Sequence, residues 1–161
     1  MLFRSLSVSH SNVGDVLLAQ GNAAGALRKF RASLAIAERL AAQDPTNAEW
    51  QRDLSVSHSK VGDVLLAQGD AAGALREYRA DLAIAERLAA QDPTNAGWQR
   101  DLAVSHYKLA MFARQNGKES ESTAELRACF DVLDDMKRRN LHFDPQLAQV
   151  YQQLAATFAG Q

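Results

Sequence analysis

The feature that most narrows what this chain can fold into is that it repeats itself. Set out in rows of 48, the segment from Arg4 to Gln51 returns from Arg52 to Gln99 with seven substitutions. A third row opens at Arg100 and keeps Val104, Ser105, His106 and Gly117 in register before diverging. Self-similarity at such a period means one supersecondary unit used several times, each too small to bury its own apolar face and dependent on stacking against a neighbour. Divergence in the last row suits an end cap, whose outer face meets water.

Each row holds two long segments with helical period. In the second row Trp50, Leu54, Ser57, Val61 and Leu65 recur at spacings of three and four, which puts them on one helix face. The following segment carries a second stripe, Ala74, Leu75, Tyr78, Leu82, Ala85 and Leu88. Both are rich in Ala, Leu, Arg, Glu and Gln, which lose little on entering a helix. Gln68-Gly69-Asp70 separates the paired segments with a glycine suited to a left-handed helix end, and Asp92-Pro93-Thr94-Asn95 separates one row from the next. Thr46 followed by Glu49 has the spacing of a capping box. Gly14 and Gly62 are expected to face Ala26 and Ala74 and let the helices of a pair approach closely. At the end of the chain Asp144-Pro145 reads as an N-cap and first helical residue, with Leu147, Val150, Tyr151, Leu154 and Phe158 on one face of a last, covering helix.

Composition matters for what it excludes. With 47% apolar residues, 23% charged ones and a net charge of −1, the chain has the profile of a soluble folded protein without the basic excess that nucleic-acid binders concentrate on one face. No stretch approaches the roughly 18 apolar residues of a spanning helix, so no membrane role is expected of these residues. The first residues, MLFRSLSVSH, lack the apolar core of a secretory signal, and the single cysteine, Cys129, forms no internal disulfide. A cytoplasmic location is the expectation.

The motif His58-x2-Val61-Gly62-x2-Leu65, followed by Ala74-x3-Tyr78, resembles the tetratricopeptide pattern W-x2-L-G-x2-Y followed by A-x3-F. Histidine replaces the usual Trp, and the period of 48 exceeds the family's 34 by one heptad on each helix, about two turns, which leaves the buried face unchanged. The resemblance covers residues 4 to about 139 and is that of a long-helix, bacterial-type variant. It implies an all-α, right-handed α-solenoid of three helix-turn-helix repeats, about 1–45, 46–93 and 94–140, with a capping helix at about 144–159, about seven helices in a single domain spanning 1–161. Leu2 falls in register with Trp50, so the chain starts inside a first helix, as if cut from a longer array.

The resemblance also implies a partner-binding concave groove lined by the first helix of each pair: Val8, Ser11, Asp15 and Leu18, with Ala19; Val56, Ser59, Asp63 and Leu66, with Ala67; and Val104, Tyr107, Met111 and Arg114, with Gln115. Members that capture a C-terminal carboxylate use Lys and Asn there, whereas this chain has Ser11, Asp15 and Asp63, so an acidic tail is not the expected ligand. The recurring Asp suits a partner with a basic residue, or an ion pair with a nearby Lys or Arg.

The chemical alternatives are poor. His10, His58 and His106 recur, yet equivalent positions in stacked helices lie roughly 10 Å apart, whereas a metal needs all its ligands within about 2.1 Å; they read as packing histidines with one hydrogen bond. Ser57 and His58, adjacent on a helix, point apart and share no proton. Cys129, in line with Leu126, Phe130 and Leu133, reads as core, Asp131, Asp134 and Asp135 as a solvated face, and Trp50 and Trp98 as packing between repeats. No phosphate loop, metal-spaced Cys/His cluster or nucleophile elbow is present. The expectation is a non-catalytic protein-interaction scaffold with no cofactor or metal, its partner a protein or peptide, with self-assembly through the first hairpin or a spacer role as the alternative.

Overall fold

A computed structural model describes residues 2–158. Those residues form seven α-helices and no strand: α1 (Leu2–Ala19), α2 (Ala23–Gln43), α3 (Ala48–Ala67), α4 (Ala71–Gln91), α5 (Ala96–Gln115), α6 (Glu119–Arg138) and α7 (Pro145–Phe158). The expected all-α class of helical hairpins therefore holds, and α7 is the added helix; residue 159 of its expected span, like Met1, lies outside the described residues. The chain divides into two compact units, one up to Ile84 and one from Ala85.

The turns inside hairpins are built as their glycines require. Gly21, Gly69 and Gly117 have φ of 77°, 84° and 71°, the left-handed region in which a Cβ is penalised. At the second of them the Gly69 and Asp70 amides return to the carbonyls of Leu66 and Leu65 at 3.0 and 2.9 Å, satisfying orphan acceptors of the helix end. The next residue starts the following helix: Asn22 Oδ1 accepts from the Gly25 amide and Asp70 Oδ1 from the Gly73 amide, both at 2.8 Å.

Between repeats the capping differs from expectation. Asn47 and Asn95 are the N-caps, each accepting from the Trp50 or Trp98 amide at 3.1 Å. Thr46 and Glu49 form no capping box, because Thr46 turns back to Asp44, its amide and hydroxyl both reaching Oδ1 at 3.0 and 2.6 Å. Glu49 is instead engaged by Arg4 at 2.8 Å. The Asp-Pro-Thr-Asn segment is thus a side-chain-built turn followed by a cap, one residue later than the box pattern places it.

In the unit up to Ile84, α1 packs on α2 and α2 on α3. Gly14 and Gly62 do allow close approach, but to a ring and not to the expected alanine: a Cβ on Gly14 would lie 2.5 Å from Phe30 Cε1, and one on Gly62 2.8 Å from Tyr78 Cε1. Ala26 and Ala74 are fully buried nearby. In the unit from Ala85, α5 packs on α6 and α6 on α7. Its core gathers Cys129, Phe130, Leu133 and Met136 of α6 with Leu147, Leu154 and Phe158 of α7, and Phe130 stacks on Tyr151 with ring centroids 5.7 Å apart. Asp144 caps α7 through the Leu147 amide at 2.9 Å.

Burial follows the repeat. In α3 it falls on Gln51, Ser55, Ser57, Val61, Gly62, Val64 and Leu65, and in α5 on the same seven register positions, from Gln99 to Ala113. The two glutamines each reach back to finish the preceding helix, Gln51 Nε2 donating to the Ala41 carbonyl at 3.2 Å and Gln99 Nε2 to that of Ala89 at 2.9 Å.

Candidate partner-binding surface

The first-helix residues singled out by register border one concavity in each unit. In the first unit a hollow of about 320 Å³ lies between α1 and α3, walled by Val8, Ser11 and Val56, edged by Asn12, Arg52 and Asp53, and floored by Ser7 and Ser33. The floor hydroxyls bond each other, with Ser7 Oγ 2.9 Å from Ser33 Oγ. In the second unit a hollow of about 180 Å³ is lined by Val104 and Tyr107 of α5, Val150 and Leu147 of α7, and Cys129 at its base, with Arg100 and Asp144 at the rim. Its walls are apolar, and its rim charges answer each other at 2.7 Å.

The remaining candidates fall outside these hollows. Leu18 and Arg114 are exposed near the ends of their helices, while Ser59, Leu66 and Met111 are half-buried. The two aspartates are already engaged. Lys60 Nζ donates to Asp15 at 2.6 Å and to Ser11 at 2.8 Å, with its ammonium 5.4 Å from the Phe30 ring centroid. Asp63 accepts from the Tyr78 hydroxyl at 2.8 Å. Burial, and then the facing Asp63 carboxylate, hold the Tyr78 phenol above its ordinary range, so it stays a donor. The recurring aspartate is therefore a structural acceptor, satisfied in the first repeat by a neighbouring helix and in the second by its own hairpin.

Two of the three recurring histidines, His58 and His106, behave as packing residues with one hydrogen bond, and the glutamate that each of them meets is Lys29 in the repeat of His10. His58 Nδ1 meets Glu77 Oε2 at 2.6 Å and His106 Nδ1 meets Glu125 Oε2 at 2.7 Å, one bond between the helices of one hairpin. Among the described residues no three His, Cys, Asp or Glu side chains group to hold a metal. Cys129 is fully buried and its thiol is pushed up to about 12 by that burial, which removes it as a nucleophile at neutral pH.

Sequence reasoning missed three things. Asp81 is a buried carboxylate that accepts a short hydrogen bond from Ser55. Asp134, assigned to a solvated face, accepts from the Tyr151 hydroxyl at 3.0 Å and pairs with Arg138. A third hollow, about 450 Å³, lies beside the α6–α7 turn against Leu141, Phe143 and Tyr151, where Lys137 sits 4.7 Å from the Tyr151 ring centroid. Only Phe143, an aromatic in a turn, signalled it.

The fold and these surfaces define a class, an all-α helical-repeat protein with open hollows along its first helices. No protein-family model matches the chain. No curated protein matches it in sequence. Among solved structures the crystal structure of MamA is similar at 12% identity over 89% of this chain and 93% of that one, with a TM-score of 0.27. Among the described residues no helix is long and apolar enough to cross a membrane.

Proposed function

We propose that this chain is a tetratricopeptide-like interaction module, one domain of three repeats and a capping helix, which holds a protein or peptide in the groove of its first helices and does no chemistry. The observation that carries the reading is the paired hollows: register-equivalent residues, Val8 and Val56 in one unit and Val104 in the other, wall an open concavity in each. A reducing, cytoplasmic setting agrees with a lone buried thiol.

The chemistry of the hollows narrows the ligand. Asp15 and Asp63 are occupied by Lys60 and Tyr78, so recognition rests on apolar side chains entering the walls and on polar backbone meeting the rims. An extended segment or helix with an apolar anchor satisfies both. The test is selection of binders from a random peptide display library, followed by titration against Tyr107→Ala and Val56→Glu. Selected peptides should share an apolar anchor, and one or other substitution should weaken binding by about tenfold or more, the loss expected of an anchor pocket. Peptides that bind the doubly substituted chain unchanged, or a selection that yields nothing above an unrelated helical protein, would remove the groove from the function.

A further inference from the structure

The three first helices are not equally covered. Of the seven register positions buried in both α3 and α5, α1 buries two, Ser7 and Gly14, which face its own hairpin partner. Val13 and Val16 are 45% and 56% exposed where Val61 and Val64 are 1% and 0%. Leu2 and Leu6, at 86% and 46%, continue the same line. With Ser9 between them, these residues alternate at four and three, a seam with the spacing of a two-helix coil and no charge within it.

The flank of the seam says what covers it. In the second repeat, Asp53 and Lys60 reach back to the repeat before: Asp53 takes Arg4 at 2.7 Å, and Lys60 takes Asp15. At the matching places the first repeat has Ser5 and Asn12, both neutral. A further repeat of this make, laid ahead of α1, would offer an arginine and an aspartate and find neither counter-charge. A second α1 running antiparallel needs none. About a two-fold axis between Ser9 and Val13, Leu6 lies opposite Val16 of the second copy and the two Asn12 side chains come side by side, where a lysine like that at position 60 would meet its own charge.

We propose that this face of α1 is a homodimer interface, two copies packed α1 to α1 and antiparallel across a two-fold axis, meeting the groove only at its edge, through Asn12. Eighteen residues of helix span about 27 Å, and one such seam buries less than the ~800 Å² per partner of a standard interface. The dimer is therefore concentration-dependent, in the micromolar range.

Sedimentation equilibrium on the intact chain tests this, with loading from about 5 to 500 µM spanning that range. The mass should rise from one chain of 17.6 kDa to two and stop there. Asn12→Lys, which places at an exposed site the residue the second repeat already carries, should weaken the dimer about fivefold at low salt and less at high salt. Val13→Lys should abolish it, with the helical circular dichroism of both variants unchanged. A chain that stays single throughout would overturn the proposal and give the face to another protein or to a further helix. So would growth past two copies, or association strengthened by Asn12→Lys, the mark of repeats laid end to end.

Discussion

Gly62→Ala is the perturbation for which the structure gives opposing contributions that can be weighed. In an exposed helix the change would stabilise by about 0.8–1 kcal/mol, since Ala is the better helix former. Here the new Cβ would lie 2.8 and 2.9 Å from two Tyr78 ring carbons and 3.3 Å from Glu77 Cβ, inside ordinary contact distance. Crowding a packed interface by one methyl costs about 1–3 kcal/mol. The ring has little freedom to yield, because Tyr78 is buried and its hydroxyl is held by Asp63 at 2.8 Å. Swinging it away weakens a hydrogen bond to a charged group, worth about 1.5–3 kcal/mol. The net expectation is a loss of about 2 kcal/mol, measured by urea unfolding followed by circular dichroism. In a Tyr78→Phe background, where the ring is untethered, the penalty for Gly62→Ala should fall to about half. A single variant as stable as the parent would refute the reasoning and place the limit on helix approach in the backbones. An equal penalty in both backgrounds would show that the tether contributes nothing.

Three further outcomes follow from the same structure. Ser55→Ala takes a donor from the buried Asp81 carboxylate and should cost about 1–3 kcal/mol in thermal unfolding, whereas Ser7→Ala, opposite neutral Ser33, should cost about 0.5–1.5; the reverse order would deny the difference in charge its role. Asp144 is held below its ordinary pKa of 3.8, first by its hydrogen bond from Arg100 and then by the amide it caps. Its contribution is therefore complete above that ordinary value and lost as pH falls through the depressed one, so acid should lower the melting temperature of the parent more steeply than that of Asp144→Asn. Parallel curves would count against the cap. Cys129 should resist a thiol reagent at pH near 8 until the chain is denatured, and rapid labelling of the folded protein would contradict its burial.

The hairpins were legible because a glycine with positive φ, an Asn or Asp cap and an apolar stripe each act within a few residues. Gly69, the Asp144 cap and the Val61–Leu65 face all read correctly from spacing alone. The Thr46–Glu49 box failed because two local patterns competed for one threonine, and spacing does not tell which acceptor, Asp44 or its own helix, lies closer. The groove was legible only as a register: position in a repeat says which residues share a face, and Val8 and Val56 do border one hollow. What fills a charge is settled between helices far apart in sequence, so Asp15 pairing with Lys60, and Asp63 with Tyr78, left no trace in any local motif. The seven substitutions carried that information unread. At Asn12/Lys60 and Ser5/Asp53 the second repeat sets a charge that reaches back to the first, at Lys29/Glu77 and Phe30/Tyr78 it gains the partners of His58 and Asp63, and at Ser33/Asp81 a carboxylate replaces the hydroxyl.

The glutamine that reaches back to the preceding carbonyl has a bearing on where such a chain can be cut. Gln51 completes the end of α2 and Gln99 that of α4, so a hairpin counted from one proline turn to the next leaves its last helix unfinished. The module that carries its own ending is offset by half a period, beginning at a second helix and closing one turn into the following first helix. Splicing at that phase transplants each helix with the side chain that terminates it. Splicing at the prolines separates the two, and the scar shows as fraying in the final turn.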